Sequence, residues 1–440
     1  MHPSAIECLE FTSRDIQPDS GRVRLRWRLV GAESSLALEE HFHFGDIGAG
    51  VSLDHPALQS ALDLLHWIAG VSYWKLACRG EVRFAARQPD AFQADALERI
   101  YRHGLAELAW RNGLAGRYWP EFEAGDRDVA GHAGNFGLRR RALVPLGGGK
   151  DSLVALERVR ARGIGFETVQ VGSAGLIGRV ARRAGARHRV IGRELAPELA
   201  RLNAAGALNG HVPITAINAA ALVLAALLWN FDAVVFANER SADVPTLTAP
   251  DGQPVNHQFA KSLAFETLFG EWVKRHVATD LDVFSLLRRE SELAVCRGFA
   301  SLERYHDVFS SCNRNFHLDG PRTQRWCGEC PKCQFVFLAL APFVSVRHMH
   351  EIFGRDLLDE PAQAAAFAAL MELDGHRPFE CVGEAAEARA ALAALAEDRQ
   401  WCAHAVVREL SPRLAGVSVP AMAEVLEPRG AHRIPARFRP

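Results

Sequence analysis

No run of apolar residues in this sequence is long enough to cross a bilayer. The longest, Ala219 to Trp229, has 11 residues, against roughly 20 for a spanning helix. The first residues, MHPSAIECLE, lack the basic start and apolar middle of a secretory signal, so a cytoplasmic protein without membrane insertion is expected. An excess of charge of either sign is also missing: Lys plus Arg is 51 and Asp plus Glu is 52. That balance excludes a strong general attraction to nucleic acid or to a membrane surface, and no nucleic-acid partner is expected. Lysine is scarce, and most of the positive charge is arginine. The cysteines are Cys8, Cys78, Cys296, Cys312, Cys327, Cys330, Cys333, Cys381 and Cys402, an odd number that argues against a disulfide framework in a large cytosolic chain. No internal repeat is present.

What is present divides the chain into three. Residues 1–140 read as an α+β unit. Val23, Leu25, Trp27 and Leu29 alternate with arginines as in a half-exposed strand, and Leu36 to Phe44 reads as the returning strand. Leu58 to Ala69 and Phe92 to Trp110 have helical spacing, Val71 to Cys78 reads as a strand, and Tyr118 to Phe136 as a linker. From 141 to 341 strands and helices alternate: Leu143–Leu146, Phe166–Val171, His188–Ile191 and Ala233–Ala237 as strands, with Ser152–Arg162, Gly178–Gly185 and Asn218–Trp229 as helices. Alternation of that kind predicts an α/β fold with a parallel, doubly wound sheet whose ligand lies beyond the C-terminal strand ends. Residues 342–440 read as a mostly helical region with a loose tail from Pro428.

The chain is organised around Leu143-Val144-Pro145-Leu146-Gly147-Gly148-Gly149-Lys150-Asp151-Ser152. An apolar strand runs into three glycines and then a helix start. Glycines permit a tight turn, and the amides and dipole of the helix N-terminus favour an anion. Lys150 adds charge, Asp151 can hold magnesium, and Ser152 can donate to a phosphate oxygen. The Walker A pattern fails, because Lys150 is followed by Asp and position 144 is Val.

Two further stretches lie at strand ends, Gln170-Val171-Gly172-Ser173 and Asn238-Glu239-Arg240-Ser241. The first is expected near a nucleoside. In the second, Glu239 could hold magnesium or substrate, and Arg240 could meet a carboxylate or phosphate. His257 and Lys261 are four apart in Asn256-His257-Gln258-Phe259-Ala260-Lys261, so on a helix they would share a face and could exchange protons with a substrate. Cys312, Cys327, Cys330 and Cys333, spaced C-x14-C-x2-C-x2-C, suit a closed tetrahedral zinc site of structural type. An iron–sulfur cluster is the alternative, and His306 and His317 are reserve ligands.

The loop Gly147 to Ser152 resembles the S-G-G-x-D-S pyrophosphate loop of the ATP pyrophosphatases, with Gly147 where that pattern has Ser. The resemblance implies an adenine nucleotide alpha hydrolase-like domain that cleaves ATP to AMP and pyrophosphate with Mg2+. It also implies ATP binding by Gly147, Gly148, Gly149, Lys150, Asp151, Ser152, Val171 and Gly172. Cys327-Gly328-Glu329-Cys330-Pro331-Lys332-Cys333 after such a domain is similar to the four-cysteine zinc site of the 7-cyano-7-deazaguanine synthases, but those chains are much shorter. The whole layout, with about 140 residues before the loop, looks more like the MurL family of UDP-N-acetylmuramoyl-L-alanyl-L-glutamate epimerases. That resemblance implies inversion of the terminal L-Glu of UDP-MurNAc-L-Ala-L-Glu through an acyl-adenylate. The base would come from His257, Lys261 or Glu239, with His211, His306 and Cys312 also open. The alternatives are an adenylating amide- or nitrile-forming ligase and a tRNA-modifying enzyme; the first would need an ammonia source, the second a basic face.

Overall fold

Arginine alternates with apolar residues from Arg22 to Val30, and the period of two puts Val23, Leu25, Trp27 and Leu29 on one buried face. The computed structural model shows this segment as the centre of an antiparallel meander of β1 (Cys8–Gln17), β2 (Arg22–Val30) and β3 (Ser35–His43). The structure describes residues 2–48, 51–114, 116–125, 133–316 and 324–439, so His317 and part of the stretch after Tyr118 lie outside the described residues. β4 (Glu81–Phe84) adds to β1 in parallel.

The second region supplies β5 (Ala142–Pro145), β6 (Phe166–Val171), β7 (His188–Glu194) and β8 (Ala233–Phe236). A two-residue ribbon of β9 (Leu247–Thr248) and β10 (Pro254–Val255) follows, and then β11 (Asp282–Ser285). β11, β8, β5, β6 and β7 pair in parallel, in that order. The chain starts at β5, builds outward to β7, returns to β8 and builds outward the other way. This is the doubly wound topology, and its switch point lies between β5 and β8. The sheet does not stop at β7. β3 pairs antiparallel with β7 through His41 to His43, giving one nine-stranded sheet in the order β11-β8-β5-β6-β7-β3-β2-β1-β4.

Helices cover both faces: α1 (Pro56–Ala69), α2 (Val71–Trp74), α3 (Ala91–Gly104), α4 (Ala106–Arg111), α5 (Lys150–Ala161), α6 (Gly175–Ala184), α7 (Glu198–Ala204), α8 (Ile214–Trp229), α9 (Leu263–Trp272), α10 (Glu292–Ala300) and α11 (Pro331–Leu340). α8 is apolar almost all round and buried from Ala219 to Trp229, packed on α1, as a central core helix should be. Beyond Ala341 the chain is helical, with α12 (Val346–Phe353), α13 (Ala364–Leu370) and α14 (Ala385–Glu397).

Two expectations are corrected. Val71 to Cys78 is not a strand: the Gly70 carbonyl accepts from the amides of Tyr73 and Trp74, so the chain continues from α1 as a further helical turn. A side chain at position 70 would meet the Phe11 ring at 2.5 Å, so glycine there lets the turn sit against the sheet. The tail is not loose either. Phe438 is fully buried against Phe284 of β11, and Arg437 binds Asp232 at 2.6 Å.

The seam between β3 and β7 is held by charge. Glu40 is wholly buried and accepts from Arg193 Nε at 2.7 Å and from the Tyr73 hydroxyl at 2.8 Å. Breaking such a pair leaves a charge without a partner. Glu40→Gln should therefore lower the unfolding free energy in urea by about 3–5 kcal/mol. Loss of the partly exposed Arg24–Asp15 pair by Arg24→Gln should cost under about 1 kcal/mol. Equal losses would contradict the seam's role.

Candidate active site

The glycine turn follows β5 directly. Gly148 has φ +82, in the left-handed region that favours glycine. A side chain on Gly149 would come within 2.6 Å of Ser311 Oγ. Gly149 caps α5 with no side-chain acceptor, so the first amides of this helix and its dipole remain directed at the turn. Ser152 Oγ donates to the Gly149 carbonyl at 3.1 Å and braces the turn. Lys150 does not reach outward. It is buried beneath the loop and ion-paired with Asp151 and with Glu292 of α10. Burial disfavours its charge, but Asp151 and Glu292 outweigh burial and hold it well above the usual lysine range. Asp151 itself keeps a third of its side chain exposed.

In front of the loop is a cavity of about 270 Å³. Its walls are the end of β5 (Pro145, Gly147), the start of α5 (Asp151, Ser152), and Phe236, Ala237 and Asn238 at the end of β8. Lys261, Ser311, Asn313 and Lys332 close the other side. It therefore occupies the switch point of the sheet, where the topology predicts a ligand. Behind it Glu239 is buried and its carboxylate accepts from the Ala242 amide at 3.0 Å. Burial, then Glu292, Asp151 and Glu387, push Glu239 well above the carboxylate range. Glu387, which accepts from Ser241, is pushed up to about 8 by burial and by Glu292. Arg240 turns away, donating to the carbonyls of Arg289 and Glu427 at 3.2 Å.

Val171 ends β6, next to β5, and Gly172 follows it. Both polar backbone groups of Gly172 are engaged within the chain: its amide donates to Ile191 at 2.8 Å and its carbonyl accepts from Gln170 Nε2 at 2.7 Å.

His257 and Lys261 do not stack on one α-helix, because Phe259–Lys261 is a 3-10 turn and His257 precedes it. They converge nonetheless, and on a residue the sequence did not single out. Lys261 Nζ donates to Cys381 Sγ at 3.0 Å. His257 lies beside Cys381 and pairs through Nδ1 with Glu107 at 2.5 Å. Burial works against the imidazolium, but Cys381 and Glu107 raise His257 to about 9. His211, with ring centroid 4.3 Å from that of His257, is lowered to about 4 by burial and by the His257 charge. Ligand atoms of Glu107, His211 and His257 lie within 4.8 Å of one another. Glu107 is already taken up by His257 and by Arg111 at 2.7 Å, so the arrangement is that of an ion pair.

The cysteine set closes in space. Sulfur separations are 3.9 Å for Cys312–Cys330, 3.4 Å for Cys330–Cys333 and 3.7 Å for Cys327–Cys333. Four thiolates around a tetrahedral zinc at about 2.3 Å stand about 3.8 Å apart, so the donor set fits a metal ion. The amides of Glu329 and Cys330 donate to Cys327 Sγ at 3.4 and 3.3 Å, as in a metal knuckle, and Gly328 takes φ +72 there. Ser311 and Asn313 flank Cys312, and Lys332 lies between Cys330 and Cys333; all three line the cavity. The reserve ligand His306 is engaged elsewhere, bonded to His348 at 2.8 Å.

The raised His257 gives a pH signature. A histidine whose folded value lies near 9 against an ordinary 6.5 stabilises the fold fully below about pH 6.5 and loses that contribution as pH rises through about 9. The stability gap between the native protein and His257→Gln in urea should be widest near pH 6 and close as pH passes about 9. A gap that widens with pH would contradict the arrangement.

Two family models cover the chain: the MurL N-terminal domain over residues 1–286 and the MurL C-terminal domain over residues 308–424. The chain is 49% identical over 384 residues to the UDP-N-acetyl-alpha-D-muramoyl-L-alanyl-L-glutamate epimerase of Xanthomonas oryzae pv. oryzae, covering 86% of this chain and 84% of that one. Proteins of the same name from a Micromonospora species and from Salinispora tropica are each 41% identical, over 87% of this chain and over 85% and 83% of theirs. With one family model spanning well over half its length and relatives this similar along most of it, the chain belongs to the MurL family.

Proposed function

We propose that the protein is an isomerase that inverts the terminal L-glutamate of UDP-MurNAc-L-Ala-L-Glu to D-glutamate in peptidoglycan precursor synthesis. It takes ATP as co-substrate and releases AMP and pyrophosphate. The observation that carries the reading is the 49% identity, over most of both chains, to a relative named for that epimerisation. The glycine-loop cavity at the switch point supports the use of ATP.

A Cα proton beside a free carboxylate is hard to remove, because the carbanion would add charge next to charge. Transfer of AMP to the carboxylate removes that charge and makes the acyl group an electron sink. The α-carboxylate attacks the α-phosphorus, and the departing pyrophosphate meets the amides of Gly148, Gly149 and the first turn of α5. Lys150 adds its charge from beneath. Asp151 faces the cavity with Glu239, Glu292 and Glu387 behind it, more carboxyls than Lys150 and Arg288 neutralise, so this wall fits a divalent cation. Magnesium held by Asp151 would shield the phosphate charges. Adenine at the end of β6 would rest on Val171 and Gly172 by apolar contact, the polar groups of Gly172 being engaged. At the Lys261 and His257 end a base takes the Cα proton, a proton returns to the other face, and hydrolysis of the anhydride frees the D-glutamyl product.

With Mg2+ and UDP-MurNAc-L-Ala-L-Glu, ATP should yield AMP and pyrophosphate, and in heavy water the product D-glutamate should carry deuterium at Cα. Asp151→Asn, which leaves Lys150 paired with Glu292, should depress turnover by roughly 10²-fold. ADP and orthophosphate as products, or inversion without deuterium uptake, would overturn the mechanism.

The four sulfurs we assign to a structural zinc at Cys312, Cys327, Cys330 and Cys333, which keeps Ser311, Asn313 and Lys332 in the cavity wall. Elemental analysis should find about one zinc per chain, and Cys330→Ala should lower the Tm. Zinc-free protein with full activity and stability would remove the assignment.

A further inference from the structure

We propose that Cys381, bonded to the cavity-lining Lys261 and beside His257, is a catalytic residue whose sulfur removes the glutamate Cα proton. The assignment rests on the acyl-adenylate reading above and names the group that reading leaves open.

Position comes first. Lys261 and Lys332 line the cavity, and Lys261 reaches Cys381 Sγ at 3.0 Å. Asn313, also in the cavity wall, bonds Glu380, the residue before Cys381. The irregular segment carrying Cys381 is fixed on the other side as well. Gln258 Nε2 donates to the Val382 carbonyl at 3.3 Å and Arg377 to the Gly383 carbonyl at 2.6 Å. A base aimed at one carbon atom needs this kind of support.

The charge around the sulfur points the same way. The groups facing it are Lys261 and His257 from the turn before α9, Lys332 from α11, and Glu380 from its own segment: three potential cations against one carboxyl. Burial alone raises a thiol, as it does for Cys8, Cys78 and Cys296. At Cys381 burial is outweighed by Lys261, His257 and Lys332, and the thiol is held well below its usual range. The same ion pairing disqualifies the other candidates as bases. Lys261 is raised and keeps its proton, and His257, near 9, is an imidazolium at neutral pH. Glu239 is held well above the carboxylate range by burial and the neighbouring carboxyls, and it is engaged by the Ala242 amide behind the cavity. The thiolate has the free electron pair.

The step balances without a redox partner. The Cα–H bond breaks and an S–H bond forms, while the electron pair moves onto the acyl oxygen of the adenylate to give an enolate. The enolate collapses as Cα takes a proton on its opposite face from a solvent-exchangeable donor across the cavity. The thiol then returns its proton to water.

Two measurements test this on the full-length protein with ATP, Mg2+ and UDP-MurNAc-L-Ala-L-Glu. In Cys381→Ser, deuterium entry at Cα should fall by at least about 10²-fold, while substrate-dependent AMP release stays within about threefold of the native rate. Exchange near the native rate would overturn the assignment. Absence of AMP release by the native protein would instead overturn the adenylate reading. The second measurement needs no variant. Alkylation of Cys381 by iodoacetamide, followed by peptide mass spectrometry, should be nearly flat from about pH 6 to 8, slowed by substrate, and should abolish exchange before AMP release. An ordinary thiol near pKa 8.5 would speed up by almost 100-fold over that range, and such a rise would overturn the assignment.

Discussion

Lys150 is an ammonium almost without access to water, and that is tolerable only because Asp151 and Glu292 stand against it. Much of the site follows from this requirement. Glu292 begins α10, so the pair ties the glycine turn to the C-terminal half of the chain. Glu387 of α14 accepts from the Leu293 amide and from Ser241, drawing the helical region onto the end of β8. The loop that an anion would meet is thereby fixed from behind by the buried Lys150, Glu292 and Glu387.

The cavity then has two unlike walls. Behind the loop, carboxyls outnumber cations; opposite, Lys261, His257 and Lys332 outnumber Glu380 around one sulfur. Each wall is arranged for the charge it lacks, a cation on one side and an anion on the other. Of the scarce lysines in the chain, Lys150, Lys261 and Lys332 all serve this crevice. Lys75 and Lys274 sit elsewhere, bonded to Asn209 at 3.0 Å and to Asp282 at 2.7 Å, so three of the five lysines gather here in a chain that otherwise uses arginine.

Much of this was legible in residue order, because the signals are local. Three glycines before Lys-Asp-Ser mark a tight turn from strand into helix, and C-x2-C-x2-C brings three sulfurs together within one loop. Alternation in Arg22–Val30 and the strand–helix rhythm after Arg141 located the strands and the switch point. Other partners are separated by long stretches of chain. Glu107 meets His257, Glu292 meets Lys150, and Cys381 meets Lys261 only after folding; a single cysteine in Pro378-Phe379-Glu380-Cys381-Val382 carries no spacing to read. Val71 to Cys78 misleads because aromatic and β-branched residues fill any buried element, helix or strand. The tail misleads because proline and arginine mask the anchoring Phe438.

The nine-stranded sheet has a consequence for how the chain can be divided. β7 pairs with β3 only through Gly192 to Glu194, at the end of the strand beyond its pairing with β6. A fragment beginning near Ala142 would free that end too, leaving unpaired amides and carbonyls next to the exposed Val190. Such an edge is a template for self-association. The N-terminal meander is therefore also a cap against aggregation, and the region carrying the glycine loop is poorly suited to existing alone.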